Sequence, residues 1–247
     1  MESVKSKIKK IIYLTLPKGF KRFIEQQVLN DHEYFKFLNI SFSQEGEDHI
    51  LSQYFYGIEK GFFIDIGAHQ PISYSNTYKF YLKGWRGINI DAMPESMVDF
   101  NKIRSEDTNL EIGVSNSNTQ LEYFIFKQRG VNTFSQLAAY QSINDGYELQ
   151  KRISIKTERM TDILDNYLPK NQVIHFLSLD VEGFELEVLL SNNWESYRPK
   201  IILVESLKLK TKKMLIDFFD RIDYSIIAQT VNNLYFADNK SEFKIDE

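Results

Sequence analysis

From residue 41 onward, apolar runs of strand length alternate with stretches of helical periodicity. In order these are GFFIDI, NTYKFYLKG, RGINIDA, a helix from Pro94 through Arg104, LEIGVS, and later VIHFLSLD, FELEVLLS, KIILVES and KTKKMLIDFFDRI. The alternation predicts an α/β sheet, mostly parallel and covered on both faces, because parallel strands need crossover connections and helices supply them. SQEGEDHILSQYF reads as a helix opened by Ser43, with Glu47 in the capping-box position. Pro94 is comfortable at a first helical position, and Gly84 stops the short helix before it. LEYFIF is a strand or extended connection, residues 128–152 are polar and mixed, and ISIKTE is an edge or connecting strand before the helix MTDILDNYL. YSIIAQTV and NNLYFAD form a strand–turn–strand around Asn232-Asn233, adding an antiparallel edge.

Residues 1–40 stand apart as an N-terminal helical arm, leaving 41–247 as one domain. Val4, Ile8, Ile11 and Ile12 recur at helical spacing among Lys5, Lys7, Lys9 and Lys10. Such a helix over residues 1–22 packs on its own domain, pairs with a second copy in a homodimer, or lies on an anionic membrane surface. The net charge of −4 supplies no basic field for nucleic acid, and the absence of cysteine excludes disulfides and thiolate metal sites. Apolar runs stop far short of the roughly 20 residues a membrane span needs, and no small-residue cleavage site follows IIYLTL. The expected location is cytoplasmic, with peripheral contact at the inner face of a membrane through the arm.

Ligands of open α/β sheets bind beyond the carboxyl ends of the strands. Those ends carry Asp65, Asp91, Asp180 and Glu205. A single aspartate there is explained as a cap for the next helix; four on one sheet edge point to a site. Asp91 ends the second strand, one βαβ unit after Asp65, where a carboxylate accepts hydrogen bonds from both hydroxyls of a ribose. Gly67 lets backbone approach a ligand closely. D-I-G-A-H lacks the second and third glycines that seat a pyrophosphate on a helix N-terminus, so a dinucleotide is disfavoured. A positively charged nucleoside suits the carboxylates better.

FSQEGEDHIL, GFFIDIGAHQPISYSNTYKFYLKGWRGINIDAMPES and LSLDVEGFELEVL, in that order over residues 41–206, resemble the FkbM family of S-adenosylmethionine-dependent methyltransferases. Gln70-Pro71 replaces the Asp-Gly that many relatives carry after the turn. The resemblance implies a Rossmann-like class I methyltransferase sheet of seven strands, mostly parallel with an antiparallel last strand. It also implies S-adenosyl-L-methionine as cofactor, with Gln44 closing over its amino-acid end. Asp65, Gly67 and Ala68 would line its methionine portion, Asp91 and Ala92 its ribose, and Glu111 to Val114, Gly113 and Val114 among them, its adenine. Asp180 borders the transferred methyl, and the acceptor is a sugar or other small-molecule hydroxyl, as in surface-polysaccharide (capsule or lipopolysaccharide) synthesis.

A sugar hydroxyl is a poor nucleophile near neutrality, so a base or a metal is expected. Asp180 and Glu182 in DVEG, with Glu205, supply either. In one version Asp180 takes the proton directly; in the other the three hold a divalent magnesium or manganese ion. The direct version is preferred, because their sequence spacing resembles no dedicated cage. His69 contacts substrate, acts as base, or satisfies a backbone carbonyl. His175, Trp85 and Trp194 read as packing residues. Asn76, Asn132 and Thr133 cap helices or, by the resemblance, face the substrate. Two competing functions are a nicotinamide-dependent oxidoreductase, which lacks its glycine triplet, and a non-catalytic cofactor-fold module in a glycan-synthesis complex, against which the intact carboxylates argue.

Overall fold

The computed structural model describes residues 39–206 and 209–241, and the account that follows concerns the unit Ser41–Glu247. The helix expected over residues 1–22 lies outside the described residues, so the arm's role stays an expectation. Among the described residues no helix is long and apolar enough to cross a membrane.

Helix α1 (Glu47–Tyr54) precedes β1 (Phe62–Ile66), α2 (Tyr78–Leu82), β2 (Arg86–Asp91), α3 (Met97–Ile103) and β3 (Thr108–Glu111). An insertion follows, made of β4 (Gly113–Val114), β5 (Gln120–Phe126), a 3-10 turn (Arg129–Val131), α4 (Gln136–Asn144) and β6 (Leu149–Glu158). The chain then runs through α5 (Met160–Tyr167), β7 (Phe176–Leu179), α6 (Glu185–Leu190), β8 (Ile201–Glu205), α7 (Leu209–Arg221), β9 (Tyr224–Gln229) and β10 (Asn233–Asp238).

Seven strands form one sheet in the order β3-β2-β1-β7-β8-β10-β9. The first five run parallel, and β10 is antiparallel to both β8 and β9. The expected mostly parallel sheet with an antiparallel last strand is therefore present. That strand is not the edge, however: the hairpin folds back so that β10 enters between β8 and β9. Burial explains the choice. Leu234, Tyr235 and Phe236 of β10 are buried, whereas Ser225, Ile226 and Gln229 of β9 are exposed, as an edge strand tolerates.

Strand alternation splits the core into two faces. Phe62, Ile64 and Ile66 of β1 pack with Met160, Ile163, Val188, Phe219 and Phe236 on one side. Phe63 packs on the other with Leu51, Phe55, Phe80, Trp85 and Phe176. The latter face absorbs His175 and Trp85: the imidazole Nδ1 accepts the Phe62 N–H at 3.1 Å, and its ring lies 5.0 Å from the Trp85 ring centre. Trp194 packs edge-on against Phe218 and Phe219.

Several local boundaries differ from expectation. The first helix starts at Glu47 with Gly46, at φ 87°, as its cap. Ser43 instead accepts the Asp48 N–H at 3.2 Å, and Glu47 accepts the Glu45 N–H at 2.7 Å. Helix α3 begins at Met97 rather than Pro94, because Glu95 at φ 67° cannot continue a right-handed helix. LEIGVS divides between β3, in the main sheet, and β4, which joins β6 and β5 in a separate three-stranded sheet. ISIKTE belongs to β6, which pairs antiparallel with β5 and parallel with β4. This small sheet stands beside the carboxyl ends of the main strands and supplies one wall of the site.

Candidate active site

The turn after β1 is built on backbone contact. The N–H groups of Gly67 and Ala68 both donate to the Ile90 carbonyl, at 2.9 and 3.1 Å, and Asp180 N–H donates to the Ile66 carbonyl at 3.0 Å. Gly67 has φ 82°, and a Cβ placed there would lie 1.6 Å from the Asp180 carbonyl oxygen. No side chain fits. Glycine thus lets the ends of β1 and β7 touch, and so fixes Asp180 relative to Asp65.

Asp65 points to the β1 face that carries Phe63 and is buried. Its Oδ2 accepts the Thr77 hydroxyl at 2.7 Å, and Thr77 in turn accepts from Arg104 Nη1 at 2.9 Å. Arg104 is fully buried, pairs with buried Asp107 at 2.9 Å, and lies 5.2 Å from the Phe63 ring centre. Burial raises the Asp65 carboxyl above its usual range, while Arg104 and the Thr77 hydroxyl pull it back. Arg104, read from sequence only as the end of a helix, is the internal counter-charge of the site.

Asp91 accepts the His69 N–H at 2.9 Å and the Met93 N–H at 2.8 Å, one on each oxygen. Each oxygen retains a lone pair for a further donor. Burial raises its carboxyl, opposed by these two N–H bonds. His69 sits at φ 52°. Burial depresses its imidazole below the usual histidine value, partly offset by Asp91, and Arg129 adds to the depression. Its electrostatic partners are thus at the Asp91 end of the site.

Asp180, Glu182 and Glu205 converge at the other end, with one ligand atom from each lying within 4.8 Å of the others. Glu205 hydrogen-bonds Asp180, and burial raises all three carboxyls; Asp180 and Glu185 raise Glu182 and Glu205 further, whereas Asp180 is raised next by Glu185 and eased down by its hydrogen bond with Glu205. The sequence separation of the three argued against a metal cage; the fold gathers them, so that objection falls. Glu185 was not foreseen. It is buried and accepts the Gly183 N–H at 2.9 Å, bracing the loop in which Glu182 takes φ 55° and Gly183 φ 87°.

These groups line one cleft of about 630 Å³, within the ~300–1,000 Å³ typical of ligand sites. Asp65, Gly67, Ala68, His69, Asp91, Ala92, Val114, Asp180, Glu182 and Glu205 all border it. Gln44 does too, held by a strap whose Glu47 accepts the Asn233 amide at 2.8 Å and whose Asp48 accepts the Phe42 N–H at 2.8 Å. Asn76 reaches the cleft with its amide on Ser178 Oγ at 3.0 Å.

Two expected placements are corrected. Gly113 does not border the cleft; Phe134 and Thr157 pack against it so closely that a Cβ would meet them at 2.6 and 2.8 Å. Thr133 is buried, donates to the Glu182 carbonyl at 2.9 Å and accepts the Ser135 N–H at 2.8 Å, so its hydroxyl is used inside the protein. Asn132 borders the cleft, but its oxygen accepts the Phe126 N–H at 2.8 Å. Tyr123, Gln128, Arg129 and Tyr147, all from the insertion, complete the wall. Gln128, Arg129 and Tyr147 lie in the mixed stretch 128–152, which offers no pattern by which to find them, and Tyr123 lies in LEYFIF, whose strand pattern gives no sign of a site.

No curated protein matches the chain. Among solved structures, the C-terminal domain of precorrin-6Y C5,15-methyltransferase from Rhodobacter capsulatus is 12% identical, covering 77% of this chain and 86% of its own at a TM-score of 0.39. Precorrin-6y C5,15-methyltransferase from Geobacter metallireducens GS-15 is 11% identical, covering 76% and 84%, also at 0.39. The methyltransferase FkbM domain matches residues 65–228, from the Asp65 turn into β9. That span takes in the strand-end aspartates, the glycine that admits a neighbouring backbone and the gathered set of carboxylates, and the chain is a member of the FkbM methyltransferase family.

Proposed function

We propose that the protein transfers the methyl group of S-adenosylmethionine to a sugar hydroxyl, in the assembly of a surface polysaccharide. The observation that carries this reading is the division of one cleft into two ends: Asp65 and Asp91 at one, the Asp180–Glu182–Glu205 set at the other. The first end suits the cofactor. Asp91 keeps free lone pairs for ribose hydroxyls, Gln44 and Asp65 suit the zwitterionic methionine end, and Ile112 and Val114 offer an apolar slot for adenine.

The second end suits an alcohol. The acceptor oxygen attacks the methyl carbon in line, the carbon–sulfur bond breaks, and the hydroxyl proton passes to Asp180, leaving neutral S-adenosylhomocysteine. Much of the rate comes from positioning, worth up to about 7–11 kcal/mol in favourable systems. The base contributes about 10²–10⁴-fold. A proton shared with Glu205 leaves Asp180 as the member that ionises more readily, its carboxyl pushed up to about 7. His69 is assigned to the cofactor side, not to the base.

A second reading keeps the reaction and adds a divalent ion. Three carboxylate oxygens within 4.8 Å of one another are the donor type that magnesium or manganese takes. Such an ion would bind the acceptor oxygen and lower its pKa.

Calorimetric titration with S-adenosylhomocysteine and NAD tests the cofactor. Binding of the first alone is expected; binding of NAD alone refutes the proposal. Asp180→Asn should bind S-adenosylhomocysteine normally yet lose turnover by at least about a hundredfold. Chelation then separates the two versions: unchanged turnover supports the direct base, and loss restored by magnesium supports the ion.

A further inference from the structure

We infer that a groove beside the cleft holds a second sugar ring of the acceptor, so that the natural acceptor is an oligosaccharide or polymer rather than a single sugar. This rests on the carbohydrate reading above. The groove has a volume of about 420 Å³ and lies on the other side of the insertion wall. Strand β5 is that wall. Tyr123 borders the cleft, and Leu121, Glu122 and Phe124 border the groove.

Phe134 and Phe184 border both spaces, with ring centres 5.7 Å apart. The two spaces therefore adjoin at this aromatic pair. Phe184 directly follows Glu182-Gly183, and Thr133, next to Phe134, is bonded to the Glu182 carbonyl at 2.9 Å. The pair is thus tied to the carboxylate set through the Glu182 loop. A ring seated over it would be linked to the ring whose hydroxyl faces Asp180.

The chemistry of the groove selects the ligand. Beyond the two rings its polar lining is Asn116, Ser117, Glu122, Gln136 and Glu187, with the Asn116 amide donating to Glu187. Amides and carboxylates beside aromatic faces match a sugar, which presents vicinal hydroxyls at its rim and C–H groups on its face. Five polar side chains disfavour a lipid tail. Glu122 and Glu187 disfavour a phosphate, and the cation beside Glu122, Arg152, already lies 3.8 Å from it and over the Phe124 ring.

The test places the full chain, saturated with S-adenosylhomocysteine, on an array of defined neutral mono-, di-, tri- and tetrasaccharides. At least one series should bind about tenfold more tightly, or better, as a di- or trisaccharide than as its monosaccharide, a gain of about 1.4 kcal/mol. Glu122→Ala with Gln136→Ala, both exposed positions, should erase that gain and leave S-adenosylhomocysteine affinity unchanged. Glu187→Gln, which keeps shape and removes charge, should reduce it. Equal affinity for single rings and longer chains, an undiminished gain in the variants, or retention of no sugar by the loaded protein would each overturn the inference. Failure of S-adenosylhomocysteine to bind would instead defeat the underlying function.

Discussion

Thr77→Val probes the buried support of Asp65 with little change in shape. The hydroxyl it deletes donates to Asp65 at 2.7 Å and accepts from Arg104 at 2.9 Å. Removing it strips a charge-assisted bond worth about 1.5–3 kcal/mol and leaves an Arg104 N–H short of a partner in the interior. The melting temperature should fall by about 2–4 °C for each kcal/mol lost. The sign of the pH effect follows from the same contacts. Burial already lifts the Asp65 carboxyl, and Thr77 is one of the groups holding it down. Without the hydroxyl the carboxyl rises further, so more of it is neutral at a given acidic pH. Affinity for S-adenosylhomocysteine should therefore weaken most on the acid side and recover as the pH is raised. Calorimetry across acid to mildly alkaline pH reads this directly, and Thr77→Ser should restore the wild-type curve. A folded Thr77→Val protein with the wild-type curve would refute a role for this chain of contacts in cofactor binding.

Gly67→Ala should be more damaging, since φ 82° costs a side chain about 1–2 kcal/mol even before its Cβ meets the Asp180 carbonyl; a thermal melt and turnover close to wild type would disprove the contact. Stability should also depend on the carboxylate set. Its carboxyls are raised in the folded state, Asp180 to about 7 and Glu182 to about 8, so the unfolded chain releases these protons first. The stability they contribute is present below the ordinary carboxylate range and is lost as pH rises through those values. Melts of Glu182→Gln should lose less than wild type over that interval, and parallel curves would contradict it. Arg104→Gln should destabilise by about 3–5 kcal/mol in denaturant titration, because it leaves Asp107 as a buried, unpaired charge.

What the sequence made legible were features carried by local pattern. Strand–helix alternation gives the sheet, and carboxylates at the ends of apolar runs give Asp65, Asp91, Asp180 and Glu205 their shared edge. What escaped depends on contacts between distant segments. Arg104 looks like any basic residue at a helix end until Phe63, Tyr81 and Phe100 close around it. Glu185 sits in a run of alternating acidic residues, and only the left-handed turn at Glu182 and Gly183 brings backbone N–H groups to it. The proximity of Asp180 to Glu205 arises from the pairing of β7 with β8, which no spacing along the chain reports. Asn132 and Thr133 part company, the first on the cleft and the second inside the protein, because a polar pair beside a helix start reads the same whether it faces a ligand or braces a hairpin.

The most direct test of methyl transfer to a sugar oxygen uses S-adenosylmethionine carrying a carbon-13 methyl group, incubated with nucleotide-activated sugars and oligosaccharides and followed by nuclear magnetic resonance. The label is expected on a sugar oxygen, with S-adenosylhomocysteine released in equal amount and transfer by Asp180→Asn at least about a hundredfold slower. Label found on nitrogen or carbon, or transfer undiminished in Asp180→Asn, would contradict the account.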